Sequence, residues 1–165
     1  MDIFKASEKI MKMDDAAWAR HANPWSVWSR FSCLPLIVAA IWCRIWIGWW
    51  ALVPLGLALI WTWINPRLFA PPAALDSWAS RGVMGERFFL NRHEVPVPEH
   101  HLRAAWWLTA VSAAGLIVLI AGLWIQDGML TLFGLVVSIG GKMWFVDRMV
   151  WIYEDMTRSA GPGAL

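Results

Sequence analysis

All four histidines of the chain, His21, His93, His100 and His101, lie in polar runs that also carry acids or arginines. His93, Glu94, Glu99, His100 and His101 fall within nine residues. Imidazole and carboxylate donors at that density are the chemistry of a transition-metal site, which makes His93, Glu99, His100 and His101 the candidate ligands. Their spacing argues the other way. No two of them keep the i, i+4 interval that puts two imidazoles on one face of a helix, and the neighbours His100 and His101 are expected to point apart on any regular element. Nucleophilic catalysis has less support still: the chain holds no G-x-S-x-G elbow and no glycine-rich phosphate loop. No catalytic residue and no cofactor follows from these residues.

A second polar set consists of Arg30, Asn65, Glu86, Asn91, Arg92, Asp147 and Arg148. Its members belong to the runs HANPWSVWSR (21–30), NPRLFAPP (65–72), GERFFLNRHE (85–94) and DRMVWIYED (147–155). Two behaviours fit. Arginines can snorkel to lipid headgroups while carboxylates pair with them locally. Alternatively Arg30, Glu86, Asp147 and Arg148 form a partly buried network, because charge near membrane depth is costly unless it is partnered. Adjacent positions on a helix do not face each other, so Asp147 and Arg148 need separate partners. Glu86 for Arg148 and Arg30 for Asp147 are the expected ones.

These residues need a scaffold, and the composition limits what it can be. Of 165 residues 59% are hydrophobic, 16% are charged and 15 are tryptophan. Soluble domains carry about 25% charged residues, and a chain this apolar cannot hide its surface in one small core. A disordered chain, a nucleic-acid module and a disulfide-stapled fold are excluded. Cys33 and Cys43 are ten residues apart, about 15 Å on a straight helix, too far to bond.

Residues 24–43, 45–64, 104–125 and 128–150 are apolar runs of the length that crosses a bilayer. The turn between the first two lies at Arg44 to Gly48. Trp25 and Trp42, Trp46 and Trp63, and Trp107 and Trp124 are each 17 residues apart. That interval is about 25 Å on a helix, close to the separation of the aromatic belts at the two membrane faces. Pro35 and Pro54 are expected to kink the first two spans. Ala110 and Ala114, with Gly134 and Ser138, suit close contact between the last two.

Residues 1–22 read as an N-terminal amphipathic helix ending before Asn23-Pro24, and 157–165 as a flexible tail containing Gly161-Pro162-Gly163. Between them lies a four-span membrane domain, 24–156. Its 66–103 loop carries a further amphipathic helix over about 75–92, laid on the membrane or on the bundle. The fold expected is therefore all-α: an integral membrane four-helix bundle with N-terminal and loop interfacial helices. Thirteen of the 14 lysines and arginines fall in the two terminal segments and the 66–103 loop, against Arg44 alone opposite. An even number of spans then places both termini in the cytoplasm of a bacterial inner membrane.

HANPWSVWSR, NPRLF (65–69), GERFFLNR (85–92) and DRMVWIYEDM (147–156) together resemble a bacterial family of small tryptophan-rich membrane proteins classed as a domain of unknown function. The resemblance implies a multi-helix membrane fold and supplies no activity. The function expected is a non-enzymatic membrane module that meets lipid or a partner protein, with homo-oligomers and partner membrane proteins as candidate assemblies and nucleic acid excluded. A small oligomeric permease or channel is a second class. A membrane enzyme or metal binder using the His and acid layer is a third.

Overall fold

The computed structural model describes residues 15–160. Residues 1–14 of the expected amphipathic segment and 161–165 of the expected tail lie outside the described residues. Helices are the regular elements of the described residues, which hold no strand: α1 (Asp15–His21), α2 (Pro24–Arg30), α3 (Cys33–Ile47), a 3-10 turn (Gly48–Ala51), α4 (Leu52–Leu68), α5 (Trp78–Leu90), α6 (Glu99–Ile125) and α7 (Gly128–Ala160). α7 continues through Thr157 and Ser159, so the tail expected from 157 begins no earlier than the end of this helix.

Local chemistry sets the breaks. Asn23 is extended, with φ −64° and ψ 128°, and its side chain accepts from the Trp25 amide while Pro24 opens α2. Proline fits a first helical turn because its missing N–H would have had no partner there. The same reasoning corrects the reading of Pro35 and Pro54 as mid-span kinks. Both sit in the opening turns of α3 and α4, where they start a helix instead of bending one. Gly48, at φ 56°, reverses the chain between these helices in a conformation that favours glycine. α3 then packs on α4 as a helical hairpin.

A second hairpin, α6 with α7, is the most extensive contact in the molecule. Gln126 closes α6 in the left-handed region at φ 59°. Asp127 then starts α7 by accepting from the Leu130 amide at 2.8 Å. Gly122 lies against the backbone of Thr131, Gly115 against Ser138 and Gly134 against Leu119, so closely that an added Cβ would collide. Ser112 Oγ also donates to the Ser138 carbonyl at 2.9 Å across this seam. Gly134 and Ser138 thus line the crossing, whereas Ala110 and Ala114 are exposed. The seam of α6 runs through Ala105, Ser112, Gly115, Leu119 and Gly122, and the two alanines lie off that phase.

α3 and α4 make little contact with α6 and α7; α5 packs on α7 and on α2, and α1 and α2 pack in turn on α4. One buried cluster links α1, α2 and α5 through Trp18, Ala22, Val27, Ala79, Val83 and Leu90. The other links α5 to α6 and α7 through Phe89, Val97, Ala105, Phe145, Met149 and Ile152. Gly82 and Gly85 let α5 close on Val146 and Met149. Of the two settings open to this amphipathic helix, the protein interior is the one observed.

Three helical segments are long and apolar enough to cross a membrane: Pro24–Leu68, folded back at Gly48, Glu99–Ile125 and Gly128–Ser159. Only 17%, 17% and 33% of their most apolar stretches are buried. Trp25, Trp46, Trp63, Trp107 and Trp124 all turn outward, from 53% to 85% exposed.

Candidate functional site

The polar residues form a layer around α1, α2, α5 and the ends of α4, α6 and α7. Its first cluster is built by the Asn23-Pro24 break, which turns α2 so that Arg30 returns to His21. The Arg30 guanidinium lies against both ring nitrogens of the buried His21. It also donates to Ser26 Oγ at 3.3 Å. Ser26 donates to Asn65 Oδ1 at 3.4 Å, and Asn65 Nδ2 donates to Ser29 Oγ at 2.7 Å. Ser26 and Asn65 are fully buried. Polar groups removed from water need such partners, because each one left unpaired costs about 1–3 kcal/mol.

Two further bonds fasten this cluster to its neighbours. Asn23 Nδ2 donates to the Ala70 carbonyl at 2.8 Å, and Ser80 Oγ donates to the Ala22 carbonyl at 2.7 Å. Burial holds the His21 imidazole well below its ordinary value, and the Arg30 and Lys142 cations push the same way. His21 is therefore the neutral acceptor in this pair.

The second cluster joins α5 to α7. Trp78 Nε1 donates to Asp147 Oδ1 at 2.9 Å, and the Trp78 ring stacks on Trp28 at 5.4 Å between centroids. Arg81 meets Glu154 at 3.0 Å and Lys142 meets Glu86 at 3.7 Å. Arg87 pairs with Asp15. The pairs Glu86–Arg148 and Arg30–Asp147, expected from the sequence, are not made. Lys142 takes Glu86, the Trp78 indole takes Asp147, and Arg30 is held by His21. Arg148 instead lies over the Trp151 ring at 5.6 Å, and its buried Nε has no hydrogen-bond partner among the described residues. Asn91 closes α5. Arg92 donates to the Phe89 carbonyl at 2.9 Å, its guanidinium 4.7 Å from the Phe89 ring.

The third cluster stands where α6 begins beside the last turns of α7. His101 is 1% exposed, and its Nε2 bonds Asp155 Oδ2 at 2.9 Å. The His100 and His101 ring centroids are 4.1 Å apart. This corrects the expectation that neighbouring histidines point apart: the Cα–Cβ bonds diverge, yet rotation about the side-chain torsions brings the rings together. One donor atom each from His100, His101 and Asp155 lies within 4.8 Å of the others. Glu99 and His93 are not in this group.

Of the sequence candidates, then, Arg30 and Asn65 share one cluster and His100 and His101 another. Glu86 and Asp147 lie on the α5–α7 seam with different partners. His21, Ser26, Ser29, Trp78 and Asp155 carry contacts that spacing alone did not assign to them. The signal for His21 and Ser26 was present in HANPWSVWSR, where a proline break between two short helices can fold a histidine onto an arginine nine residues on.

A family model described as a family of unknown function (DUF6653) matches residues 4–164, and the chain belongs to that family. No curated protein matches the chain, and no solved structure does.

Proposed function

We propose that this member of a family of unknown function is a non-enzymatic, multi-pass protein of a bacterial inner membrane. In this reading the α2–α4 hairpin and the α6–α7 hairpin each cross the bilayer twice, leaving both termini and the α5 layer in the cytoplasm. The polar layer meets anionic lipid headgroups, with a partner protein as the competing occupant.

One observation carries the reading: the tryptophans occupy both ends of the apolar segments and face outward. Trp46, Trp49 and Trp50 surround the Gly48 reversal at 74%, 87% and 76% exposure, and Trp124 ends α6 at 85%. Trp25, Trp63 and Trp107, also exposed, stand toward the opposite ends of the apolar runs 24–43, 45–64 and 104–125. Outward indoles at two levels suit the two interfaces of a bilayer. Thirteen of the 14 lysines and arginines fall in the terminal segments and the 66–103 loop, which this reading puts on one side of the bilayer, and such a charge bias attracts anionic lipid.

Two measurements test this. A topology reporter fused after Leu165 is expected to report cytoplasm, and one inserted at Asp127 the periplasm; both on one side would defeat the four-crossing arrangement. Purified protein in nanodiscs is expected to enrich anionic lipid in a salt-sensitive way. Salt-insensitive retention together with a stoichiometric copurifying protein would transfer the layer's role to that partner.

A further inference from the structure

We infer that His100, His101 and Asp155 bind one divalent first-row transition-metal ion of the zinc class at the mouth of the α6–α7 hairpin. The donors already converge, since one atom from each lies within 4.8 Å of the other two. Imidazole with carboxylate is a donor set that suits Zn²⁺ and its neighbours.

The second observation is that His101 is already held in place. It is 1% exposed, and its Nε2–H donates to Asp155 Oδ2 at 2.9 Å. An ion entering between the two takes the place of that proton, which is released to water, so His101 binds through Nε2 and Asp155 through a carboxylate oxygen.

The other two residues give the ion a route in. His100 is exposed, with its ring 4.1 Å from that of His101, so it can turn to add a second imidazole. Asp155 is 40% exposed and is approached by Arg158 at 3.9 Å. That contact is loose enough to yield to an ion. Water fills the remaining positions, as in open zinc sites.

The test uses the untagged full-length protein in detergent, stripped with chelator and titrated with Zn²⁺ by calorimetry and with Co²⁺ by absorbance. One ion per chain is expected, with Co²⁺ bands typical of nitrogen and oxygen ligands. His100→Gln and Asp155→Asn are expected to weaken binding at least tenfold while leaving the melting temperature of the metal-free protein within a few degrees. Cys33→Ser and Cys43→Ser should leave binding unchanged. Absence of binding, affinity unchanged in both His100→Gln and Asp155→Asn, or several equivalent weak ions per chain would overturn the inference.

Discussion

The indole of Trp78 donates to the carboxylate of Asp147 at 2.9 Å, tying the first turn of α5 to α7. Trp78→Phe keeps an aromatic ring for Trp28 to stack on but removes the donor. It is expected to cost about 1–2 kcal/mol, the range for a partly exposed hydrogen bond to a charged acceptor. Asp147→Asn should cost less, because a carboxamide oxygen still accepts. Thermal unfolding in detergent of the two single variants and the double variant checks this. Losses that simply add would show that the two residues do not act together.

Glu86 and Arg148 offer the complementary case. Glu86 meets Lys142 at 3.7 Å, and Arg148 lies over Trp151. Glu86→Gln and Arg148→Gln are therefore expected to be additive within about 0.5 kcal/mol. Glu86→Gln with Lys142→Gln should show a small coupling instead, about 0.2–1 kcal/mol for so exposed a pair. A large coupling between Glu86 and Arg148 would contradict the seam described above.

Close helix approach predicts which glycines can be replaced. At Gly85 a Cβ would strike the Met149 backbone, and at Gly134 that of Leu119, while nothing lies within 4 Å at Gly56 or Gly140. Gly85→Ala and Gly134→Ala are each expected to destabilise by about 1–3 kcal/mol or more through overpacking. Gly56→Ala and Gly140→Ala should be neutral or stabilising by about 0.5–1 kcal/mol, since alanine loses less backbone entropy. Melting temperatures of the four variants give the comparison.

His21 makes stability depend on pH in a defined direction. Its pKa in the folded protein lies well below the ordinary value of 6.5. Between that lowered value and 6.5 the unfolded chain binds more protons than the folded one. The stabilisation from neutral His21 is thus fully present above about pH 6.5 and is lost as pH falls below it. The slope is about 1.4 kcal/mol per pH unit until the folded pKa is reached. In His21→Gln this component should vanish, so its stability profile between pH 7.5 and 5 should be flatter than that of the wild type. Parallel profiles would remove His21 as the titrating group.

Asn23 performs two separable tasks. Its Oδ1 accepts from the Trp25 amide at 2.9 Å and its Nδ2 donates to Ala70 at 2.8 Å. Asn23→Ser keeps a capping oxygen and loses only the second bond, whereas Asn23→Ala loses both. The expected order of stability is wild type, then Ser, then Ala, with the Ser-to-Ala step near 1 kcal/mol. Equal losses in the two variants would mean that capping contributes nothing here.

The helical class and the apolar segments were legible because periodicity, length and tryptophan spacing are properties of the chain alone. The break at Asn23-Pro24 was legible for the same reason, as proline restricts its predecessor whatever surrounds it. Partner choice was not. Whether Glu86 finds Lys142 or Arg148 depends on where Gly82 and Gly85 let α5 settle on α7, and no single-helix pattern contains that. The seam of α6 shows the same limit. Ala110 and Gly115 are both small, and only the phase of the opposing helix decides that Gly115 faces inward. His100 and His101 converge through side-chain torsions, which spacing rules based on Cα–Cβ directions do not describe.

Because α1, α2 and α5 together bridge two hairpins that otherwise meet sparingly, the molecule has the mechanics of a lever pivoted at one end. The Gly48 tip stands the length of α4 away, about 25 Å at 1.5 Å per residue over its 17 residues. Each degree of rotation at the pivot then moves Trp46, Trp49 and Trp50 by about 0.4 Å, by the same helix geometry. Packing at Ala79, Val83 and Leu90 therefore governs the angular play of a tip that lies far from it, and small changes there are geared up into large ones at the tryptophan end.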